Sequence, residues 1–367
     1  MRTKNILTWF VFLPTAVTCR AVRLVSPHKR GRTKAPLLVI EAGKAGWDEP
    51  APGLLDIEQS AREYIGEDAV VRLSIERRNW GYLAVVGRTL SRNTPTHYFY
   101  DTRTGHQGKI VGWLQAFAIA TLLSWYDVVP ITLLTNFPAR KWRRQVVTVT
   151  ASRGLILLLM DPGDTGRSIP HNRVLGPVLM PFSEKRLRRL RSEFPTRTDD
   201  ATLPVVLFIG TMYEPRQTKL NDLGAALAPL PLNFKIISRN LNAPKITEGD
   251  YWGALRESNF VVTTADHARE RGSDNDFPPH LVYRYTEALV AETCLIAPRV
   301  PGPLTAWTHY IPYDSADQLK KDLASLRASP EKIGAIREAG ANLIAERVAS
   351  GSWWQEVDFA LGPDALK

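Results

Sequence analysis

Short runs of consecutive apolar residues recur along the 367-residue chain, and segments with helical spacing follow most of them. An unbroken apolar run that is too short for a helix indicates a strand buried on both faces. The predicted strands are residues 37–40, 69–75, 97–101, 130–134, 154–160, 205–209, 234–238, 259–264 and 294–297. The predicted helices are residues 54–65, 80–90, 109–124, 140–150, 218–227, 251–257, 283–292, 315–327 and 330–349. This alternation predicts an α/β fold with parallel sheets covered on both sides.

A polar, turn-rich stretch divides the alternation into two series. Residues 195–204, PTRTDDATLP, lack periodicity and indicate an interdomain linker. We therefore predict a leader over residues 1–34, a first domain over 35–194 and a second over 205–367. A chain of this length is too long for one ordinary core. The expected architecture is two Rossmann-like, doubly wound domains facing across a cleft, with ligands at the carboxyl ends of the strands.

The basic residues concentrate at the N-terminus. The net charge is +10, but residues 1–34 hold eight Lys or Arg and no acid, so the other charges nearly cancel. These cations flank an apolar run, Ile6 to Cys19, which is shorter than the ~20 residues that span a bilayer. The pattern favours an anchor on an anionic membrane surface over a disordered leader or a secretory signal. We expect a cytoplasmic protein, peripheral on the cytoplasmic face of a membrane, whose residues 1–34 can be removed without unfolding.

Other features of the composition exclude several classes of protein. Cys19 and Cys294 are the two cysteines; they form no disulfide framework and fit a reducing compartment. The histidines lack metal-ligand spacing, so no structural metal is expected. The basic clusters at 140–144 and 185–191 are either solvated helix faces or an extension of the membrane-facing charge. No nucleic-acid partner is expected, because no reading module accompanies the charge.

The loop after the predicted strand 205–209 has the composition of an anion site. No G-x-G-x-x-G or P-loop motif follows the first strand of either domain, which argues against a nicotinamide enzyme and a P-loop NTPase. Instead, Gly210 allows a ligand to approach the backbone, and Arg216 and Lys219 follow at the start of a helix. Together they predict a diphosphate-binding site. The alternative is an ordinary turn with two solvated cations.

A second candidate group is Arg284-Tyr-Thr-Glu287. Residues three apart share one face of a helix, so Arg284 and Glu287 lie side by side. The two oxygens of a carboxylate suit the two hydroxyls of a ribose. The alternative is a surface ion pair that contributes little to stability.

From about Pro204 to Trp354 the chain resembles the C-terminal donor domain of GT-B glycosyltransferases, in particular the exostosin-like and spore-maturation types. The matching stretches, in order, are Phe208-Ile-Gly210 with Arg216, Tyr251 to Thr264, Arg284-Tyr-Thr-Glu287-Ala-Leu with Cys294 to Pro298, Tyr313 to Leu319, and Ile336 to Gly340. The resemblance implies that Glu287 binds the donor ribose while Arg284 and Arg216 neutralise the diphosphate. Two departures leave the stereochemistry open: Pro279 stands where many retaining members have glutamate, and Glu292-Thr293 replaces the usual glycine.

The first domain would bind the acceptor, since the donor is assigned to the second. An inverting transfer needs a general base near the acceptor hydroxyl. The loop after the strand 97–100 offers His106 as the candidate catalytic base and Asp101 as the reserve, against the alternative of a histidine solvated in a turn. Glu41 and Asp48 in the first loop are weaker candidates.

The resemblance therefore implies a glycosyltransferase that moves a sugar from a nucleotide-sugar donor to a glycan or lipid-linked acceptor at a membrane surface. The nucleotide-sugar is a co-substrate, and no separate cofactor is expected. Two alternatives stay open: a nucleotide-sugar epimerase of the same fold, and a non-catalytic protein that binds sugar nucleotides or glycans.

Activity is expected not to need a divalent metal held by protein carboxylates. The diphosphate site is basic, with Arg216, Lys219 and Arg284, and no Asp-x-Asp triplet follows a strand of the first domain. Transfer measured with and without a chelator should therefore be equal. Loss of transfer in chelator, with recovery on adding manganese, would contradict this expectation.

Overall fold

The computed structural model describes residues 2–27, 37–43, 52–75, 80–100, 109–134, 149, 151–162, 174–194, 203–238, 246–264, 280–300, 302–362 and 365–367. The chain divides into two compact units. Unit 1 comprises Met1–Gly176 together with Gly351–Lys367, and unit 2 comprises Pro177–Ser350.

Unit 1 contains, in its described part, a six-stranded parallel sheet in the order β2-β1-β3-β4-β5-β6. Its strands are β1 (Leu38–Gly43), β2 (Val70–Ile75), β3 (His97–Tyr100), β4 (Val129–Leu134), β5 (Leu155–Leu158) and β6 (Val174–Leu175). The helices of its N-terminal part are α1 (Arg2–Val25), α2 (Pro52–Ile65), α3 (Trp80–Asn93) and α4 (Lys109–Trp125). All four residues of β5 are buried, as expected for a strand with helices on both faces of the sheet.

Unit 2 contains a second all-parallel sheet, with five strands among the described residues in the order β11-β10-β9-β7-β8. Its strands are β7 (Val205–Gly210), β8 (Asn233–Ser238), β9 (Phe260–Val262), β10 (Cys294–Ala297) and β11 (Ile311–Pro312). The helices are α5 (Glu184–Glu193), α6 (Arg216–Leu227), α7 (Glu248–Glu257), α8 (Tyr283–Val290), α9 (Ala316–Arg327) and α10 (Pro330–Ser350). The predicted α/β class with two parallel, doubly wound sheets is confirmed. The predicted helix at 140–150 lies almost wholly outside the described residues.

Hydroxyl side chains define where three helices of unit 2 begin. Ser183 accepts a hydrogen bond from the backbone of Arg186 at the start of α5, and Thr247 and Ser315 do the same for α7 and α9. Each cap satisfies a backbone N–H that has no partner within the helix and contributes about 1 kcal/mol. The sequence therefore specifies these helix starts locally.

Helices α10 and α8 approach each other closely at Gly340. A Cβ atom at this position would lie 2.7 Å from Leu289 of α8 and 2.9 Å from the backbone oxygen of His309. Glycine is needed here because a side chain would overlap the backbone oxygen of His309, which precedes β11. Leu289 thus packs directly on the backbone of α10 and joins it to α8, the helix that carries Arg284 and Glu287.

The first boundary differs from the prediction because residues 177–194 belong to unit 2. The ring of Phe182 meets that of Trp252 edge-on, with centroids 5.8 Å apart, and Arg186 pairs with Glu248 at 2.7 Å. A backbone oxygen of the same segment, that of Met180, accepts a hydrogen bond from Thr286. The sequence placed this segment before the linker, because an amphipathic pattern identifies the apolar face of a helix but not the core against which it packs.

The second difference concerns a helix that the sequence did not predict, α11 (Ser352–Leu361), which belongs to unit 1. Trp354 is buried there and donates a hydrogen bond to Ser60 of α2 at 3.0 Å. Tyr64 of α2 donates to Asp358 at 3.4 Å. The chain therefore returns to unit 1 after completing unit 2.

The predicted leader is also part of unit 1. Helix α1 packs along α4 through Cys19, which is fully buried in a cluster with Ala120 and Ala151. Arg23 donates to the hydroxyl of Ser124 at 3.3 Å. This differs from the expectation of a separable segment, because α1 supplies buried side chains to the core. Within the residues that the structure describes, no helix is long and apolar enough to cross a membrane.

Two substitutions on α1 test its packing. Cys19→Arg places a charge at a buried position and should lower the free energy of unfolding by about 3 kcal/mol or more. Val17→Arg, two residues away on the exposed face, should change it by at most about 0.5 kcal/mol. Urea denaturation measures both values. Equal stability of the two variants would show that α1 does not pack on α4 in solution.

Candidate functional site

The strand order of unit 2 creates a crevice between β7 and β9. The chain leaves β7 towards β8 on one side of the sheet, and it leaves β9 towards β10 on the other side. In open parallel sheets, ligands bind outside the carboxyl ends of the strands at this switch point. Helices α6 and α8 each follow one of these two strands, so both begin at the carboxyl edge of the sheet.

Arg216 lies at this crevice and connects its two sides. Its Nε donates to the hydroxyl of Thr264, just after β9, at 3.1 Å, and its Nη1 donates to the backbone oxygen of Thr211, just after β7, at 2.9 Å. The guanidinium group also lies 4.2 Å from the ring centroid of Tyr213. A half-buried arginine held from three directions presents a fixed positive charge at a switch point, which suits an anionic ligand.

The other two predicted residues of this loop lie at the same edge. Gly210 is the last residue of β7, and a Cβ atom there would lie 3.1 Å from the ring of Phe208. Lys219 is exposed on the first turn of α6, three residues beyond Arg216. Arg216 is thus half-buried and held by protein contacts, and Lys219 is an exposed residue of the same helix.

Arg284 and Glu287 form an ion pair on α8, with Arg284 Nη1 3.2 Å from Glu287 Oε2. Glu287 is only 7% exposed, so the alternative of a solvated surface pair does not describe it. The guanidinium group of Arg284 also lies 5.0 Å from the ring centroid of Tyr251 on α7. Removing one member of a pair with so little solvent access leaves an uncompensated charge, which is costly.

The neighbouring residues hold α8 in position. Tyr285 is buried and meets the ring of Tyr310 edge-on, and Thr286 is buried and bonded to the backbone of Met180. The first turn of α8 therefore has little freedom. The carboxylate of Glu287 is preoriented as a result.

The carboxyl edge of the unit 1 sheet contains a buried acid, Glu41. It is the fourth residue of β1 rather than a loop residue, and its side chain is fully buried. Its Oε2 accepts hydrogen bonds from the hydroxyls of Tyr82 at 2.9 Å and Tyr98 at 2.7 Å. Strands β1 and β3 flank the switch point of this sheet, so Glu41 lies near that point with its side chain closed off from solvent.

The sequence ranked Glu41 low because it ended the first strand at Ile40. The signal that it missed is the pair of tyrosines on α3 and β3, whose hydroxyls can reach an acid on β1. Asp48, Asp101 and His106 lie outside the described residues, so the assignment of a catalytic base stays a prediction.

Metal binding by protein side chains and catalysis by a cysteine thiolate have little support in the described part of the chain. No group of three or more His, Cys, Asp or Glu residues there could hold a metal ion. Both cysteines are buried, and burial raises the pKa of Cys294 to about 12, so this thiol is protonated at neutral pH. Independence from metal stays a prediction.

Comparison with known proteins identifies solved structures that have a similar fold. No protein-family model and no curated protein matches the chain. Among solved structures, it is similar to an α-glucosyltransferase in complex with UDP and a DNA 13-mer containing an HMU base, with a TM-score of 0.58, 10% identity, and coverage of 89% of this chain and 100% of that one. It is also similar to the catalytic domain of starch synthase IV from Arabidopsis thaliana bound to ADP and acarbose, with a TM-score of 0.54 and the same identity and coverage. A UDP-N-acetylglucosamine 2-epimerase matches with a TM-score of 0.45 and 9% identity, over 88% of this chain and 97% of that one.

The structural similarity at these identities concerns the fold alone. Together with the two parallel sheets, it shows that the chain has the GT-B fold, as the resemblance implied. The exostosin-like and spore-maturation subclass is a finer statement that a shared fold does not establish.

The tyrosine contacts of Glu41 lead to a stability prediction. Tyr82→Phe and Tyr98→Phe each remove one donor from a fully buried acceptor and should cost about 1–3 kcal/mol in the free energy of unfolding. Because both hydroxyls donate to the same oxygen, the double variant should differ from the sum of the single effects by at least about 0.5 kcal/mol. Urea denaturation of the four proteins measures this. Two neutral, additive substitutions would contradict the shared hydrogen bonding.

Proposed function

We propose that this protein is a glycosyltransferase that transfers a sugar from a nucleotide-sugar donor to a glycan or lipid-linked acceptor. The observation that carries the proposal is the position of Arg216, bonded to both sides of the switch-point crevice of unit 2. A diphosphate is the anionic part of every nucleotide sugar. A fixed guanidinium at a switch point suits the negative charge of the diphosphate.

In this proposal, Arg216, Lys219 and Arg284 neutralise the diphosphate, and the backbone at Gly210 lets it approach β7. Glu287 accepts hydrogen bonds from the ribose hydroxyls, and its ion pair with Arg284 keeps the carboxylate in place. The roles of Glu287, Arg284 and Arg216 follow the resemblance to exostosin-like and spore-maturation-type enzymes, and those of Gly210 and Lys219 follow from the loop after β7. No metal bound by protein carboxylates takes part.

The acceptor side belongs to unit 1. His106 is the proposed general base and Asp101 the reserve, since both follow β3 in the sequence. We also propose that the acceptor lies at the cytoplasmic face of a membrane. The positive charge concentrated in residues 1–34 supports this location, because it would attract the protein to anionic lipid.

The products distinguish this proposal from its alternatives. Purified protein is incubated with a panel of labelled nucleotide sugars, with and without membranes, and with Arg216→Gln as a matched variant. Transfer of label to membrane or glycan material that is lost in Arg216→Gln supports a transferase. Epimerised nucleotide sugar without transfer would indicate the epimerase, and binding without turnover would indicate a non-catalytic protein.

Glu287→Gln tests the donor site at the level of one residue. The change keeps the shape of the side chain but removes a charged acceptor, so it should weaken binding of a nucleoside diphosphate sugar by about 1.5–3 kcal/mol, roughly ten- to a hundredfold. Titration calorimetry on folded protein measures the affinity. Glu338→Gln, an exposed acid on α10, is the control and should bind like the unmodified chain. Unchanged affinity in a folded Glu287→Gln protein would remove the ribose assignment.

A further inference from the structure

The outward surface of α1 and α4 is an exposed apolar face. On α1, Leu13 and Val17 are each 60% exposed, and Leu24 is 70% exposed. Spacings of four and seven residues place these three side chains on one side of the helix. On α4, Leu114 and Phe117 are 51% and 37% exposed and lie three residues apart. These five residues define the α1–α4 face.

This face is held in place by the packing beneath it. The opposite side of α1 buries Thr15 and Cys19, and after the helix ends Ser26 donates a hydrogen bond to the backbone oxygen of Trp125. The backbone that carries the exposed side chains is therefore held on the surface of unit 1. Several exposed apolar side chains on two helices that pack together favour an interaction surface.

The charge of the two helices and of the neighbouring sequence indicates what the face binds. Neither α1 nor α4 contains an acidic residue. Arg20 is exposed on α1 between Val17 and Leu24. In the sequence, residues 28–34, which follow shortly after α1 and lie outside the described part of the chain, include four more cations: Lys29, Arg30, Arg32 and Lys34. Each cation near an anionic membrane contributes about 1 kcal/mol. Pairing of two such faces in a dimer would instead bring like charges together.

We propose that the α1–α4 face docks on an anionic lipid bilayer, with α1 lying in the plane of the membrane surface. The apolar residues enter the boundary between headgroups and acyl chains while the cations meet the headgroups. Membrane contact is then made by a composite surface of the folded unit rather than by a detachable leader. The inference rests on the membrane part of the proposed function, but not on transfer chemistry.

Flotation with lipid vesicles tests the proposal on the full chain. Binding should be strong to phosphatidylcholine vesicles that contain phosphatidylserine, weak to phosphatidylcholine alone, and reduced by salt. The double variant Leu114→Gln, Phe117→Gln should bind the anionic vesicles about tenfold or more weakly, because both side chains lose apolar burial. Phe359→Gln is the matched control, since Phe359 is 83% exposed on α11 of the same unit.

Binding that is equal in the double variant and the unmodified chain, or that ignores lipid charge, would overturn the proposal. So would a concentration-dependent dimer that the double variant abolishes, because the face would then bind a second copy. Titration of the unmodified chain and the double variant with a nucleoside diphosphate distinguishes the docking proposal from the donor-site proposal. If the protein binds vesicles but not the nucleotide, only the donor site is refuted. If it binds the nucleotide but not vesicles, only the docking face is refuted.

Discussion

Parallel strand pairing is the constraint on which this structure depends. Two parallel strands cannot be joined by a tight turn, so the chain must cross back along the sheet between them, here mostly as helices. Every helix that follows a strand then starts at the same edge, and backbone N–H groups gather there from several places in the sequence. Arg216 and the pair Arg284–Glu287 are 68 residues apart by their numbering, yet both begin helices at that edge. The location of the candidate site therefore follows from the topology of the sheet alone, whatever side chains the helices carry.

The sequence allowed the strands to be predicted because their apolar content follows from burial on both faces. Runs such as Leu155–Leu158 and Cys294–Ala297 have no polar face, and only a covered sheet accommodates them. The sequence did not allow the assignment of helices to units. Helix α11 carries Trp353 and Trp354, and nothing in their spacing indicates that Trp354 bonds to Ser60, almost 300 residues earlier. Long-range packing depends on shape, which local periodicity does not encode.

The candidate site was predicted unevenly for the same reason. Gly210 ends a strand and Arg216 begins a helix, and Glu287 lies one turn into its helix, so local pattern was sufficient to predict their positions but not their roles. The burial of Glu41 was not predicted because its environment comes from Tyr82 and Tyr98, which lie on other elements. The burial of Glu287 could not be predicted from the sequence either. A spacing of three residues is the same for an ion pair that is solvated and for one that is buried.

The return of the chain to unit 1 affects the order in which the protein can fold during synthesis. Unit 2 is one continuous segment, Pro177–Ser350, and the core cluster of its described residues lies within that segment. Unit 1 is assembled from two segments, and the surface of α2 near Ser60 stays uncovered until Trp354 has left the ribosome. The part of the protein that is translated first is therefore completed last, and its exposed apolar surface must be tolerated or shielded while the following unit is made.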